Sequence, residues 1–133
     1  MLKRYLVSVL VVFLLWSALD FVIHSVILGA EYQATAALWR PFEQMKLGLT
    51  YLSTLIAAGA FAGIYMLLVS PKSVKAGIVF GLLIGLFSGV PMSLGSYSVM
   101  PITVSIAGVW FLGMMIETIL AGLCVAAILK DNK

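Results

Sequence analysis

Charge is scarce in this sequence. Eight Lys and Arg and five Asp and Glu make up only 10% of its 133 residues, while 63% are hydrophobic and the mean hydropathy is +1.17. A soluble domain carries about 25% charged and roughly 45 to 50% apolar residues, so an ordinary soluble fold is excluded. The net charge of +3 is small and scattered, unlike a nucleic-acid footprint, which gathers basic residues on one face. No nucleic-acid partner is expected.

Cysteine and histidine each occur once. Cys124 lies in an apolar run, so no intrachain disulfide, CxxC redox pair or cysteine-rich metal site can form. With only His24, haem held by paired histidines within one chain is excluded. There is no GxSxG elbow, P-loop, HExxH or dinucleotide fingerprint, and Ser93, Ser96, Tyr97 and Ser98 lack a nearby His for a triad. Neither an enzyme nor a cofactor is expected.

What is present is four long apolar runs, at about 5–28, 47–69, 74–94 and 102–129. At 1.5 Å of rise per residue each reaches across a hydrocarbon core about 30 Å thick. Runs of this length, continuously apolar, are helices and not barrel strands, which are about 10 residues long and alternate. The expectation is an all-α membrane protein: one four-transmembrane-helix bundle forming a single domain over 1–133. The start Met1-Leu2-Lys3-Arg4 resembles a signal peptide, but no clear small-x-small cleavage pattern follows, so the first run is read as retained.

The basic residues orient the bundle. Lys3, Arg4, Lys72, Lys75, Lys130 and Lys133 fall on one side of four spans, and Arg40 and Lys46 on the other. This asymmetry puts both termini in the cytoplasm and residues 95–101 in an outer loop. Residues 29–46 are read as an interfacial segment between helices 1 and 2 that rests on the outer surface. Gly29 is expected to end the first helix, while Tyr32, Trp39 and Phe42 suit the headgroup zone. Glu43 is expected in the first turn of an extended second helix, where the macrodipole favours negative charge.

Gly77, Gly81, Gly85 and Gly89 recur every four residues in span three. Such a stripe forms a shallow groove that admits another backbone, and it suits the bundle's own core, a second copy or a membrane-protein partner. Gly59 and Gly63, with Ala58 and Ala62, offer a partner surface in span two.

Three ionisable residues fall within the apolar runs. Asp20 and His24, four residues apart, share a helix face with Ser17, and Glu117 lies near the middle of span four. Charges at such depth are costly and call for a partner, a proton or water. Asp20 and His24 read either as a proton or cation site or as a clamp holding span one to the interfacial segment through Arg40. Glu117 reads as a neutral hydrogen-bonded acid or as a carrier of protons or an organic cation. Met45, Met92 and Met100 map to the same side as His24, and thioether plus imidazole suits copper(I), but close ligand spacing is lacking and no metal is expected.

The run Asp20-Phe21-Val22-Ile23-His24, then Leu28-Gly29, Tyr32 and Leu38-Trp39-Arg40-Pro41-Phe42-Glu43-Gln44-Met45, resembles a family of small bacterial four-helix inner-membrane proteins. Residues 81–91, Pro101-Ile102 and 117–122 are similar to that family in arrangement, so the likeness spans nearly the whole chain. It implies a multi-pass protein of the bacterial inner membrane and brings no substrate, cofactor or catalytic residue. Small multidrug exporters are similar in size and helix count and use a membrane-embedded glutamate. Here the embedded glutamate is in span four and the first span carries Asp20 in its outer half, departures that count against an exporter assignment. The packing patterns lead to an interaction or accessory subunit that docks a partner or a second copy through the glycine face. The alternative is an oligomeric small-solute or ion transporter using Glu117 with Asp20 and His24.

Overall fold

The computed structural model describes residues 1–130. Lys133 lies outside them. Among the described residues the regular structure is all helical, with no strand, and four helical stretches are long and apolar enough to cross a membrane: Leu2–Ile27, Leu47–Leu68, Val74–Val99 and Val104–Leu129. The first comprises α1 (Leu2–Phe21) and a wide π-helical turn, Val22–Ile27; a short α2 (Gly29–Ala34) follows. Next come α3 (Leu47–Leu68) and α4 (Val74–Val90), the latter continuing through a second wide turn, Pro91–Gly95, into α5 (Ser96–Val99). The last helix is α6 (Val104–Leu129).

Local chemistry sets several of these boundaries. The Ser73 hydroxyl accepts from the Ala76 N–H and the Thr103 hydroxyl from the Ile106 N–H, both at 3.1 Å, satisfying donors that the first turns of α4 and α6 leave open. Pro91 has no N–H to give to the carbonyl four residues back, and the chain widens there into a π turn instead of stopping. The other wide turn closes with the Leu28 N–H on the Ile23 carbonyl, five residues back, at 2.9 Å.

α1 lies between α3 and α6, and α6 between α1 and α4. Phe80 of α4 reaches Phe61 and Tyr65 of α3 with ring centroids 4.6 and 5.4 Å apart, closing the bundle. Around these rings Val12, Ala58, Ala62, Ala121 and Val125 form the larger core. A second core of Ile23, Leu28, Ile102, Ile106 and Ala107 sits at the other end, beneath α2. The outward faces remain apolar, with Leu6, Leu10, Leu83, Phe87 and Leu112 exposed. The Arg4 guanidinium donates to the Lys130 carbonyl at 3.2 Å, so the start of α1 lies beside the end of α6.

The glycine stripe of α4 faces α6. A Cβ on Gly77 or Gly81 would strike the backbone carbonyl of Gly122 or Thr118, and one on Gly89 would come within 3.2 Å of Met114. Gly122 is equally tight against the Gly77 carbonyl, so the two backbones lie in direct contact. The groove is therefore filled by a helix of the same chain, whereas Gly59 and Gly63 look onto Tyr5 of α1.

Four local expectations are corrected. Residues 96–99 are helical and not loop, because the wide turn absorbs both Pro91 and Gly95. Gly29 opens α2, and the first helix is broken instead at Leu28, with φ −95° and ψ 0°. Glu43 sits in a separate 3-10 turn, Phe42–Gln44, since Met45 is extended and α3 begins only at Leu47. Tyr32 and Trp39 turn inward onto the second core, while Phe42 stays exposed.

Candidate functional site

Trp110, Gly113 and Glu117 follow one another at one-turn intervals on α6 and look towards the first span. Gly113 matters by its lack of a side chain, since a Cβ would come within 2.7 Å of Ile23 Cδ1. That close approach seats the turn Val22–Ile27 against α6 and brings His24 towards Trp110 and Glu117, all three lining one small cavity. On the neighbouring turn of α1, the Trp16 indole donates to the Glu117 carbonyl at 3.0 Å.

The three ionisable residues singled out in the sequence converge here. Glu117 is only 7% exposed, and it lines the same cavity as Asp20. A carboxylate can only accept, so a hydrogen bond between the two would form only when one of them carries a proton. Asp20 Oδ1 is in turn 3.7 Å from His24 Nε2, with the two side chains 39% and 38% exposed. Glu117 Oε1 is buried with no hydrogen-bond partner among the described residues, as is Ser17 Oγ.

His24 is held from its other side by α2. Nδ1 lies 2.6 Å from the Tyr32 hydroxyl, the two rings stack at 5.9 Å with 10° between planes, and the Trp110 indole donates to the same hydroxyl at 2.7 Å. With Trp110 donating to it, the Tyr32 hydroxyl is free to donate to Nδ1 of a neutral imidazole, which leaves the Nε2 proton facing Asp20. Burial pushes the Tyr32 phenol above its ordinary range, the Trp110 hydrogen bond opposes this, and the Asp20 charge adds to it. Trp39 packs edge-on against both Tyr32 and Trp110, with centroids 5.2 and 6.1 Å apart. At the outer edge, the Thr103 hydroxyl donates to Glu31 Oε2 at 3.0 Å and ties α2 to the start of α6.

The expected clamp on the first span is thus made by Tyr32 and not by Arg40. Arg40 is exposed and lines a separate open groove with Met45, Lys46 and Thr50. Of the three methionines considered for copper, Met92 reaches the cavity. Trp110, Glu31 and Thr103 were missed by sequence reasoning. For Trp110 a signal existed, because its spacing of seven from Glu117 places both on one face of a helix.

The cavity bounded by Asp20, His24, Met92, Trp110, Gly113 and Glu117 has a volume of about 30 Å³. Its polar wall carries two carboxyl groups and one imidazole, and its remaining wall is apolar. Such a set can hold and exchange protons or neutralise a small cation. Comparison with protein-family models, with curated proteins and with solved structures returned no match.

Proposed function

We propose that this chain is a bacterial inner-membrane transporter of a small solute or ion, oligomeric in the membrane, with Glu117, Asp20 and His24 as its site. The four apolar stretches support insertion, since their outward faces would otherwise expose Leu and Phe to water. Both termini face the cytoplasm in this reading, because Lys3, Arg4, Lys72, Lys75 and Lys130 outnumber Arg40 and Lys46 at the opposite end.

One observation carries the reading: Glu117 is buried, shares one cavity with Asp20 and His24, and keeps one carboxyl oxygen without a partner among the described residues. An ionisable group at this depth is expensive to keep, and a hydrophobic residue would pack there at lower cost. Docking of a partner through the glycine stripe is less well supported, because α6 already fills that face.

The test is flux in proteoliposomes for the wild type and for Glu117→Gln, which keeps the shape and removes the exchangeable proton. Transport that depends on Glu117 is expected. If no ion or solute moves differently in the two proteins, the transport reading fails.

A further inference from the structure

We infer that the substrate of this site is the proton, delivered from the Tyr32 end of the bundle through Tyr32, His24 and Asp20 to Glu117. The inference rests on the transport reading above and narrows it to one substrate. Three features of the geometry carry it.

The first is continuity. Tyr32 Oη and His24 Nδ1 are 2.6 Å apart, His24 Nε2 and Asp20 Oδ1 are 3.7 Å apart, and Asp20 and Glu117 line the same small cavity. The first step is direct. The His24–Asp20 gap exceeds a hydrogen bond, and the adjoining cavity, lined by Asp20, His24 and Glu117, is where water would complete the remaining steps.

The second is size. The cavity beside that gap, about 30 Å³, has room for one or two waters. Its walls include Asp20, His24 and Glu117, enough polar partners to hold a water in place. An organic cation is far too large for it. Among the described residues no three His, Cys, Asp or Glu side chains are grouped closely enough to hold a metal ion.

The third is where the polar path stops. Towards Lys130, the α6 positions after Glu117 and Thr118 are Ala121 and Val125, packed with Val12, Phe61 and Phe80. Thr118 spends its hydroxyl on the carbonyls of Met114 and Met115. Beyond the buried Ser17 hydroxyl, one turn from Asp20, this apolar packing offers Glu117 no polar route to the other end, and passage there requires the helices to rearrange.

The transfers balance as proton exchange without redox. An incoming proton binds the Tyr32 oxygen as the phenolic O–H bond breaks and its proton passes to Nδ1 of His24. The imidazolium releases its Nε2 proton, through the bridging water, to the Asp20 carboxylate. The Asp20 O–H then breaks as a bond forms to Glu117. The titratable groups facing the cavity are Asp20 and His24 from the first span and Glu117 from α6; Tyr32 of α2 stands behind His24, and α4 and its wide turn contribute Met92.

The experiment uses the full chain in vesicles of phosphatidylethanolamine and phosphatidylglycerol, sorted by orientation. Proton entry is followed with a trapped pH dye under a potassium diffusion potential, with sodium and guanidinium as alternative probes. Proton flux is expected in the wild type and absent in Glu117→Gln. In His24→Asn it should fall roughly 100-fold, the order lost with a positioned proton donor. Tyr32→Phe should lower it less. A hydrophobic carbodiimide, which reacts with protonated carboxyl groups, should modify Glu117 faster when the Tyr32 side is acidified and not when the lysine side is. Added imidazole should restore flux in His24→Ala, a rescue that a purely structural histidine would not show.

Glu117-dependent movement of sodium or guanidinium without protons would overturn this inference and leave the transport reading standing. Proton flux unchanged in both His24→Asn and Tyr32→Phe, or carbodiimide labelling of Glu117 indifferent to side, would overturn the relay. Absence of Glu117-dependent flux for every probe would overturn both.

Discussion

The Trp110 indole donates to the Tyr32 hydroxyl at 2.7 Å, and through it the last helix fixes the ring of His24 on the first. Three separate elements are joined at one oxygen atom. Removing that oxygen should therefore cost more than one ordinary hydrogen bond.

Tyr32→Phe leaves the Trp110 N–H and His24 Nδ1 without their shared partner. A loss of about 1–3 kcal/mol is expected, the penalty of stranding a buried polar group. Thermal unfolding in detergent measures it. Combined with Trp110→Phe, the two losses should fall short of additivity, because both changes break the same bond. Fully additive losses would show that the bond contributes nothing.

The same phenol makes a pH prediction. Burial raises the Tyr32 pKa in the folded chain, so the folded state holds that proton after the unfolded state has released it. The stabilisation is present below the ordinary tyrosine value of about 10 and is lost as pH rises beyond it towards the folded value. Phenolate absorbance of wild type minus Tyr32→Phe should lack a transition at about pH 10 and show one at higher pH. A transition at the ordinary value would place Tyr32 in water.

The glycines of α4 and α6 should differ sharply in tolerance. Gly81→Ala drives a methyl into the Thr118 carbonyl, and a loss of roughly 1–3 kcal/mol or more is expected from overpacking against backbone that cannot yield. Gly108 in α6 has nothing within 4 Å of its added Cβ, so Gly108→Ala should be neutral or stabilising by up to about 1 kcal/mol. Unfolding in mixed micelles separates the two, and equal effects would contradict the α4–α6 contact.

Thr103 caps α6 and holds Glu31 with one hydroxyl. Thr103→Val should cost about 1 kcal/mol and speed hydrogen exchange at residues 104–107, whereas Thr103→Ser should preserve both contacts. Unaltered exchange in Thr103→Val would mean that the cap is dispensable.

The apolar runs, the glycine stripe and the four-residue spacing of Asp20 and His24 were legible because each is a property of one helix. Apolar length sets a span, and a fixed spacing sets a face. What lies opposite a face depends on another helix. Nothing local to Gly81 names Thr118 as its neighbour, and nothing local to Glu117 names Asp20. The inward turn of Tyr32 was hidden for the same reason, since an aromatic ring near a span end suits both a headgroup layer and a neighbouring indole. The helical stretch Ser96–Val99 was missed for a different cause. Pro91 and Gly95 are ordinary stop signals, and only a five-residue turn lets the helix pass both.

The wide turns at Val22–Ile27 and Pro91–Gly95 each carry a side chain that borders the cavity, His24 in one and Met92 in the other. A π turn fits one more residue than an α turn into nearly the same rotation, so deleting one residue from such a turn would restore tight coiling and leave the helix beyond it in nearly the same orientation. A one-residue deletion at either place would therefore change which side chain borders the cavity while leaving the glycine seam below undisturbed.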